Sequence, residues 1–265
     1  MISLRRATRP IAAGIDIGSI TTKAAVLSDG KILGAKVIFT GYHAEEAGRR
    51  VYRELLAQLG IDASDIQSVV ATGYGRNSVP FAQKAITEIT CHAAGACFLN
   101  SKIRTIIDVG GQDSKVISLD ANGAVKDFAM NDKCAAGTGR FLEVMARALE
   151  VNLDDFGAFA ARAEAPSKIS STCTVFAESE IISLISKGTT RENIIAGIHD
   201  AVAARVMSLA RRIGIIAPVM MTGGVAKNDG VVQALERKIG EKIQVSDYAQ
   251  VNGAIGAAVK AQEMI

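Results

Sequence analysis

The chain has 265 residues, of which 49% are hydrophobic and 22% charged, and its formal net charge is +3. This is the composition of an ordinary soluble protein with a sizeable core and about two domains. The small net charge argues against a nucleic-acid-binding protein, and no apolar run is long enough to cross a membrane. The arginines near the start have no apolar segment behind them, so we predict a loose tail over residues 1–10, not a secretory signal. We therefore expect a cytoplasmic protein.

The chain contains an internal duplication. Residues 15–30 (IDIGSITTKAAVLSDG) and 107–123 (IDVGGQDSKVISLDANG) both begin Ile-Asp-apolar-Gly, and both place a lysine seven residues after the aspartate. Each pattern predicts a strand, a tight glycine turn and a second strand, with a further turn at Asp29-Gly30 or Asn122-Gly123. A third apolar strand, from residue 219, ends in two glycines.

Helical periodicity separates these strands. It predicts helices over 44–60 and 192–214 and a closing helix over 254–265. Two copies of a mixed strand-and-helix unit predict an α/β fold with two similar domains that face a cleft. We place the first domain at 11–100 and the second at 101–265, with the closing helix able to return to the first.

The two glycine turns have the chemistry of a phosphate site. Glycine lets the backbone approach an anion, and successive N–H groups form a nest for it. Two carboxylates, Asp16 and Asp108, end the strands that lead into these turns. They would repel a polyphosphate unless a divalent cation intervened, and Mg²⁺ is commonly held by carboxylates, phosphate oxygens and water. The chain has no GxxxxGK[ST] motif, so the site is not a P-loop.

Two phosphate hairpins and a Gly-Gly turn resemble the actin, Hsp70 and sugar-kinase superfamily. The resemblance implies duplicated actin-like (ribonuclease H-like) ATPase domains with ATP between them. It also assigns nucleotide-binding residues, which fall in four groups. These are Gly18, Ser19, Ile20, Thr21, Thr22 and Lys23 in the first phosphate loop, Gly110 and Gly111 in the second, Gly223, Gly224 and Val225 at the adenosine, and Gln250.

Within this superfamily, an ordered set of motifs points to one branch. The motifs are 71-ATGYGRN-77, 88-EITCHAAGA-96, 107-IDVGGQDSKVI-117, 130-MNDKCAAGTGRFLEVMA-146, 169-ISSTCTVFAESE-180, 196-AGIH-199 and 222-TGGVAKN-228. Together they resemble the ATP-dependent activators of 2-hydroxyacyl-CoA dehydratases, a group that also contains the ATPase subunits of benzoyl-CoA reductases. The likeness extends from about residue 13 to the C-terminus.

The resemblance implies a homodimer that holds one 4Fe–4S cluster, with Cys134 and Cys173 supplied by each subunit. Four thiolates are what such a cluster requires, and a two-fold axis doubles the two cysteines of one chain. Cys134 precedes a helix predicted from Gly139 or Arg140, and Cys173 precedes one predicted to reach Gly188. Helix N-termini carry free N–H groups and a partial positive charge, which favour a thiolate and an anionic cluster.

Other metal sites have less support from the residues. Zinc bound by the same four thiolates is an alternative to the cluster. Cys91 and Cys97 are interpreted as residues of a packed helix, because a spacing of six turns them to different faces. His43, His92 and His199 are interpreted as hydrogen-bonded helix or loop residues rather than ligands.

The implied activity is ATP hydrolysis coupled to transfer of one electron at low potential. Reduced ferredoxin or flavodoxin would supply the electron, and an iron–sulfur dehydratase acting on a hydroxyacyl-CoA would receive it. Asp16 and Asp108 would hold Mg²⁺ through water, and one of them would orient the hydrolytic water. Gln112 and Asp113, which directly follow the second Gly-Gly turn, are the candidate sensors of the γ-phosphate or of that water.

Three other functions compete with this one. The first is the ATPase of a benzoyl-CoA reductase or of another low-potential cluster protein. The second is a non-redox kinase of a sugar or small acid, although no sugar-binding loop or catalytic base stands out between residues 38 and 100. The third is an ATP-switched interaction protein, which the two cysteines before helices disfavour.

Overall fold

The structure is a computed structural model that describes residues 10–170 and 173–265. The chain divides into two compact units: one contains the described residues up to Ser101 together with Val251–Ile265, and the other contains Lys102–Gln250. The predicted N-terminal tail, apart from Pro10, and two residues of the stretch 169–180 lie outside the described residues.

The first unit is a five-stranded sheet with helices. Its strands and helices are β1 (Ile11–Ile17), β2 (Thr21–Ser28), β3 (Lys31–Phe39), α1 (Ala44–Leu59), β4 (Ile66–Thr72), β5 (Lys84–Ala85) and α2 (Glu88–Leu99). The strand order is β3-β2-β1-β4-β5, with β1, β2 and β3 antiparallel and with β4 parallel to both β1 and β5.

Local sequence signals explain the ends of these elements. Asp29 and Gly30 have φ values of 55° and 67°, and they join β2 to β3 so that Ser28 pairs directly with Lys31. This is the two-residue hairpin turn that Asp-Gly favours. Gly60 ends α1 in the left-handed conformation, as the sequence predicts.

The second unit repeats the same sheet. Its elements are β6 (Thr105–Val109), β7 (Ser114–Leu119), β8 (Val125–Asn131), α3 (Gly139–Leu149), α4 (Phe156–Ala160), α5 (Thr174–Ser186), α6 (Arg191–Ile213), β9 (Val219–Thr222), α7 (Asp229–Ile239) and β10 (Ile243–Val245). The strand order β8-β7-β6-β9-β10 is equivalent to that of the first unit. The duplication and the α/β fold predicted from the sequence are thereby confirmed.

The last helix, α8 (Asn252–Gln262), belongs to the first unit. Its backbone packs directly on β1, where a Cβ atom on Gly14 would overlap the backbone of Ala254 and Ala258. Gly256 of α8 packs as closely on the backbone of Cys91 in α2. Two glycines thus allow an approach that a side chain would prevent.

Several helix boundaries differ slightly from the predicted ones. The helix after Cys173 ends at Ser186 and not at Gly188, because Gly188 has a φ of 79° that a helix does not accommodate. The closing helix begins at Asn252, two residues before its predicted start. Among the described residues, no helix has the combination of length and apolar character that crossing a membrane requires.

Candidate functional site

Each unit contains a buried aspartate paired with a lysine. The register of β1 and β2 places Asp16 opposite Lys23, and that of β6 and β7 places Asp108 opposite Lys115. The carboxylate Oδ2 and the lysine Nζ are 3.2 Å apart in both pairs. Asp16 is 5% exposed and Asp108 is 2% exposed. The equal spacing in the sequence therefore produces an equal cross-strand ion pair in each unit.

The turns that join these strands are also equivalent. The Gly18 N–H donates to the Thr21 carbonyl at 3.1 Å, and the Gly110 N–H donates to the Asp113 carbonyl at 2.9 Å. A Cβ atom on Gly110 would lie 2.5 Å from Oδ1 of Asp113, so a side chain at this position would displace that carboxylate. Both turns have the compact shape expected of a loop that approaches a phosphate closely.

The residues assigned to the first phosphate loop differ in what they expose. Ser19 is exposed, and Thr21 and Lys23 are partly exposed. Thr22 is fully buried, and its hydroxyl shares a hydrogen bond of 2.9 Å with the hydroxyl of Thr40. Thr40 in turn donates to the Gly18 carbonyl at 2.8 Å. The Thr22 hydroxyl therefore holds Thr40, and Thr40 holds the backbone of the first phosphate loop. The sequence analysis did not identify Thr40.

A Thr-Gly pair completes the duplication. Thr72 is the register partner of Asp16 on the neighbouring parallel strand, and Thr222 is the partner of Asp108. The glycines that follow, Gly73 and Gly223, have φ values of 86° and 87°. Sequence reasoning recognised this pair only in the second unit. Both Thr-Gly pairs follow an apolar strand, and this shared pattern was the signal that could have revealed the pair in the first unit.

Hydrogen bonds fix the Asp108 carboxylate on both oxygens. The Thr222 hydroxyl donates to Oδ1 at 2.8 Å, and Lys115 Nζ donates to Oδ2. Lys115 also pairs with Oδ2 of Asp113 at 2.8 Å. A carboxylate held in this way has a defined orientation. This geometry fits a water-mediated contact to Mg²⁺ better than direct ligation, because the carboxylates of Asp16 and Asp108 are both buried and are each already paired with a lysine ammonium group.

The second unit also brings together the residues assigned to the adenosine. The Gly223 N–H donates to the Ala249 carbonyl at 2.9 Å, next to Gln250. A Cβ atom on Gly224 would lie 3.8 Å from the Gln250 side-chain amide nitrogen, and Val225 is buried behind the turn. The second phosphate loop presents Gly110 and Gly111 partly exposed and Gln112 exposed.

The cysteines fall into two classes. Cys173 is exposed and forms the N-cap of α5, and Cys134 is partly buried in the loop before α3. Cys91 is buried inside α2, where burial raises the pKa of its thiol to about 11. Cys97 lies on the same helix and is partly buried. A thiol with a raised pKa is a poor metal ligand because the thiolate is the ligating form, so Cys134 and Cys173 are the better candidates.

Comparison with known proteins decides the family. Residues 13–261 match the model of the BadF/BadG/BcrA/BcrD ATPase family. The chain belongs to this family. The (R)-2-hydroxyglutaryl-CoA dehydratase activating ATPase of Acidaminococcus fermentans is 50% identical over 94% of this chain and 95% of its own. The activator of lactoyl-CoA dehydratase of Anaerotignum propionicum is 51% identical over 94% and 96%.

A solved structure resembles this family member closely. The activator of the 2-hydroxyisocaproyl-CoA dehydratase from Clostridium difficile, with bound ADPNP, superposes with a TM-score of 0.91 at 47% identity. The match covers 96% of this chain and 95% of that one. A more distant relative, which is part of the benzoyl-CoA reductase of Thauera aromatica, is 34% identical over 94% of this chain and 92% of its own.

An exposed apolar surface adjoins Cys173 in this ATPase. Phe176 is 67% exposed, and three further apolar residues of α5 are also exposed: Val175, Ile182 and Ile185. The opposite face of the helix packs on the core through Ala177 and Ile181. Within residues 10–170 and 173–265, no three His, Cys, Asp or Glu side chains form a metal-binding group.

The histidines meet the sequence interpretation only in part. His92 of α2 is buried, and its Nδ1 accepts a 3.3 Å hydrogen bond from the Asn252 amide nitrogen, as expected for a structural histidine. His43 is the N-cap residue of α1, but its side chain makes no capping hydrogen bond. The expectation that His199 is hydrogen-bonded is wrong: it is 1% exposed, and neither ring nitrogen has a partner in the described part of the chain.

Burial lowers the pKa of His199 to about 4. The unfolded chain binds a proton at this residue below about pH 6.5, whereas the folded chain does so only near pH 4. We therefore expect the contribution of His199 to the free energy of unfolding to fall by about 2–3 kcal/mol between pH 7 and pH 4.5. Urea titrations at the two pH values would measure the loss, and His199→Phe should reduce it by that amount. An equal pH dependence in both proteins would contradict the assignment.

Proposed function

We propose that this protein is an ATP-hydrolysing one-electron donor that activates a 2-hydroxyacyl-CoA dehydratase. The observation that carries the proposal is the position of two cysteines, Cys134 in the loop before α3 and Cys173 at the N-cap of α5, in the unit that contains the second phosphate loop. The relatives named above as dehydratase activators, at about half identity over nearly the whole chain, support the same function.

ATP is the proposed substrate, with Mg²⁺ as its cation. The ADPNP bound to the Clostridium difficile activator supports a nucleotide site in this family. The residues assigned to the phosphates and the adenosine lie at matching turns of the two units. Asp16 and Asp108 would hold the waters around Mg²⁺, and Asp108 would also orient the attacking water because both of its oxygens are fixed. Gln112, exposed on the second phosphate loop, would contact the γ-phosphate or that water.

The residues at the starts of α3 and α5 fit one 4Fe–4S cluster per homodimer. The cluster, when bound, supplies a low-potential electron. A cluster takes four thiolates, and Cys134 and Cys173 provide two per chain, so a second copy has to provide the others. The partial positive charge at the start of α5, where Cys173 is the N-cap residue, would favour a negatively charged centre. The first N–H groups of α3 are instead bonded to the second phosphate loop. The exposed apolar surface of α5 supports an interface beside Cys173. Zinc held by the same thiolates is the alternative that an iron measurement excludes.

The proposed partners follow from this chemistry. Reduced ferredoxin or flavodoxin would deliver the electron, and an iron–sulfur dehydratase component would accept it. An ATPase for benzoyl-CoA reductase is the second candidate function, since a relative at 34% identity is part of one such enzyme. A sugar or small-acid kinase is disfavoured because it has no use for cysteines at the starts of two helices. A cytoplasmic location stays a prediction.

Anaerobic purification tests the proposal directly. We expect a brown protein with about four iron atoms per dimer, the stoichiometry of one cluster shared by two chains. Iron and acid-labile sulfide should be measured together with the mass of the assembly. A colourless protein that cannot be reconstituted with iron and sulfide, or a brown monomer, would contradict the shared cluster. A protein that phosphorylates a sugar under air would favour the kinase.

A further inference from the structure

The side chain of Asn131 holds the backbone of the Cys134 loop. Asn131 is the last residue of β8 and is 8% exposed. Its amide nitrogen donates to the carbonyl of Cys134 at 2.7 Å and to that of Ala136 at 3.3 Å. One buried side-chain amide therefore supplies the hydrogen-bond donor for two backbone carbonyls of a loop that has no regular secondary structure. Removing it leaves those carbonyls without their donor.

The helix that follows this loop is capped by the second phosphate loop. The first N–H groups of a helix usually bond to the side chain of the N-cap residue. In α3 the N-cap is Thr138, which makes no such bond and instead donates its hydroxyl to the Ala135 carbonyl at 2.6 Å. The N–H of Gly139 donates to the Gly110 carbonyl at 2.9 Å, and that of Arg140 donates to the Gly111 carbonyl at 2.8 Å.

The start of α3 packs closely against the second phosphate loop. A Cβ atom on Gly139 would lie 3.2 Å from the Gly110 carbonyl oxygen and 3.4 Å from a methyl group of Val225. The start of α3 therefore touches two of the turns assigned to the nucleotide. On the other side of the loop, Asn131 is the register partner of Ser114, the first residue after the second phosphate loop. The Cys134 loop is thus attached at one end to the loop formed by residues 110–113 and at the other end to Ser114, the residue that directly follows that loop.

We propose that Asn131 is a positioning residue that couples the conformation of the loop 110–113 to the position of Cys134. A movement of the Gly110 and Gly111 carbonyls either carries the start of α3 with it or breaks two hydrogen bonds. Asn131 holds the Cys134 carbonyl by its hydrogen bond and is itself paired with Ser114, which directly follows the loop 110–113. Through these contacts the backbone at Cys134 would follow a change in that loop. Coupling between two sites requires an element with two states that both sites bias. Here that element would be the start of α3, whose hydrogen bonds to Gly110 and Gly111 are either kept or broken. The nucleotide part of this inference rests on the proposed function.

Thiol labelling of the metal-free full-length chain tests the coupling without using activity. Cys134 and Cys173 are alkylated with iodoacetamide, with and without ADPNP and Mg²⁺, and each rate is read by mass spectrometry. In the natural protein we expect ADPNP to change the rate at Cys134 by about fivefold or more, the lower end of ordinary coupling. In Asn131→Ala, Cys134 should react about tenfold faster without nucleotide, the factor for one lost hydrogen bond, and should no longer respond to ADPNP.

Matched variants keep the test decisive. Asn122→Ala changes an exposed asparagine in the turn of the same hairpin and should label as the natural protein does. Asn131→Ser retains a small polar side chain that is too short to reach Cys134, and it replaces Asn131→Ala if that variant does not fold. A folded Asn131 variant in which Cys134 still responds to ADPNP overturns the proposal, as does a natural protein without any response. A parallel ADPNP-binding titration and the iron measurement above report separately on the proposed function.

Discussion

We expect Cys134→Ala and Cys173→Ala each to yield a protein without iron, against the about four iron atoms per dimer proposed for the natural protein. Each substitution would remove two of the four thiolates of the proposed shared cluster, since both copies change together. Two thiolates cannot retain a 4Fe–4S centre through purification. Iron and sulfide analysis of anaerobically prepared protein, with an absorption spectrum, measures the loss. Circular dichroism should remain that of the natural protein, because neither side chain is part of the core.

Cys91→Ala is the matched control for this experiment. Cys91 is buried in α2 of the first unit, and its raised pKa keeps the thiol protonated near neutral pH. We expect this variant to retain its iron. Equal iron loss in Cys91→Ala and Cys134→Ala would show that the wrong thiols have been assigned. Retention of iron in Cys134→Ala would reject the shared cluster itself.

Asp108→Asn should slow ATP hydrolysis by about 100-fold or more while the iron content stays unchanged. The substitution keeps the size of the side chain but removes the charge that would hold Mg²⁺-bound water and orient the attacking water. Loss of a positioned acid–base group typically has an effect of this size. Lys115 retains an acidic partner, since Asp113 lies 2.8 Å from its Nζ, so the variant should fold. Phosphate release by the cluster-loaded protein is the measurement.

Asp127→Asn provides the control for Asp108→Asn. Asp127 is exposed on β8 of the same sheet, and its carboxylate accepts a local hydrogen bond from the next backbone N–H. Hydrolysis in this variant should equal that of the natural protein. Unchanged turnover in Asp108→Asn would reject Asp108 as a partner of the metal or the water. A simultaneous loss of iron would indicate that Asp108 acts on the fold instead.

The sequence predicted the parts of the site that depend on local patterns. The spacing of seven between Asp16 and Lys23, and between Asp108 and Lys115, became two equivalent cross-strand pairs because a tight turn fixes the register of a hairpin. Gly60 ended a helix because a residue in the left-handed conformation stops one. The N-terminal position of Cys173 on α5 followed from helical periodicity in the same way.

Contacts between distant segments were beyond this reasoning. The N–H of Gly139 donates to a carbonyl 29 residues earlier, and no side-chain pattern encodes a bond between two backbone groups. The support of Gly18 by Thr40 depends on how β3 ends, which hydrophobic periodicity does not specify. His199 has the polarity of a hydrogen-bonded residue, and only the packing of α6 determines that its ring nitrogens have no partner in the described part of the chain.

The return of α8 to the first unit has a consequence for biosynthesis. The apolar face formed by Ala25 and Leu27 of β2 is covered by Val251, Ala254 and Ile255, which are synthesised after the whole of the second unit. The second unit, residues 102–250, is continuous in sequence. On a growing chain, the second copy of the duplication can therefore mature first, while the first copy is completed only when α8 has been made.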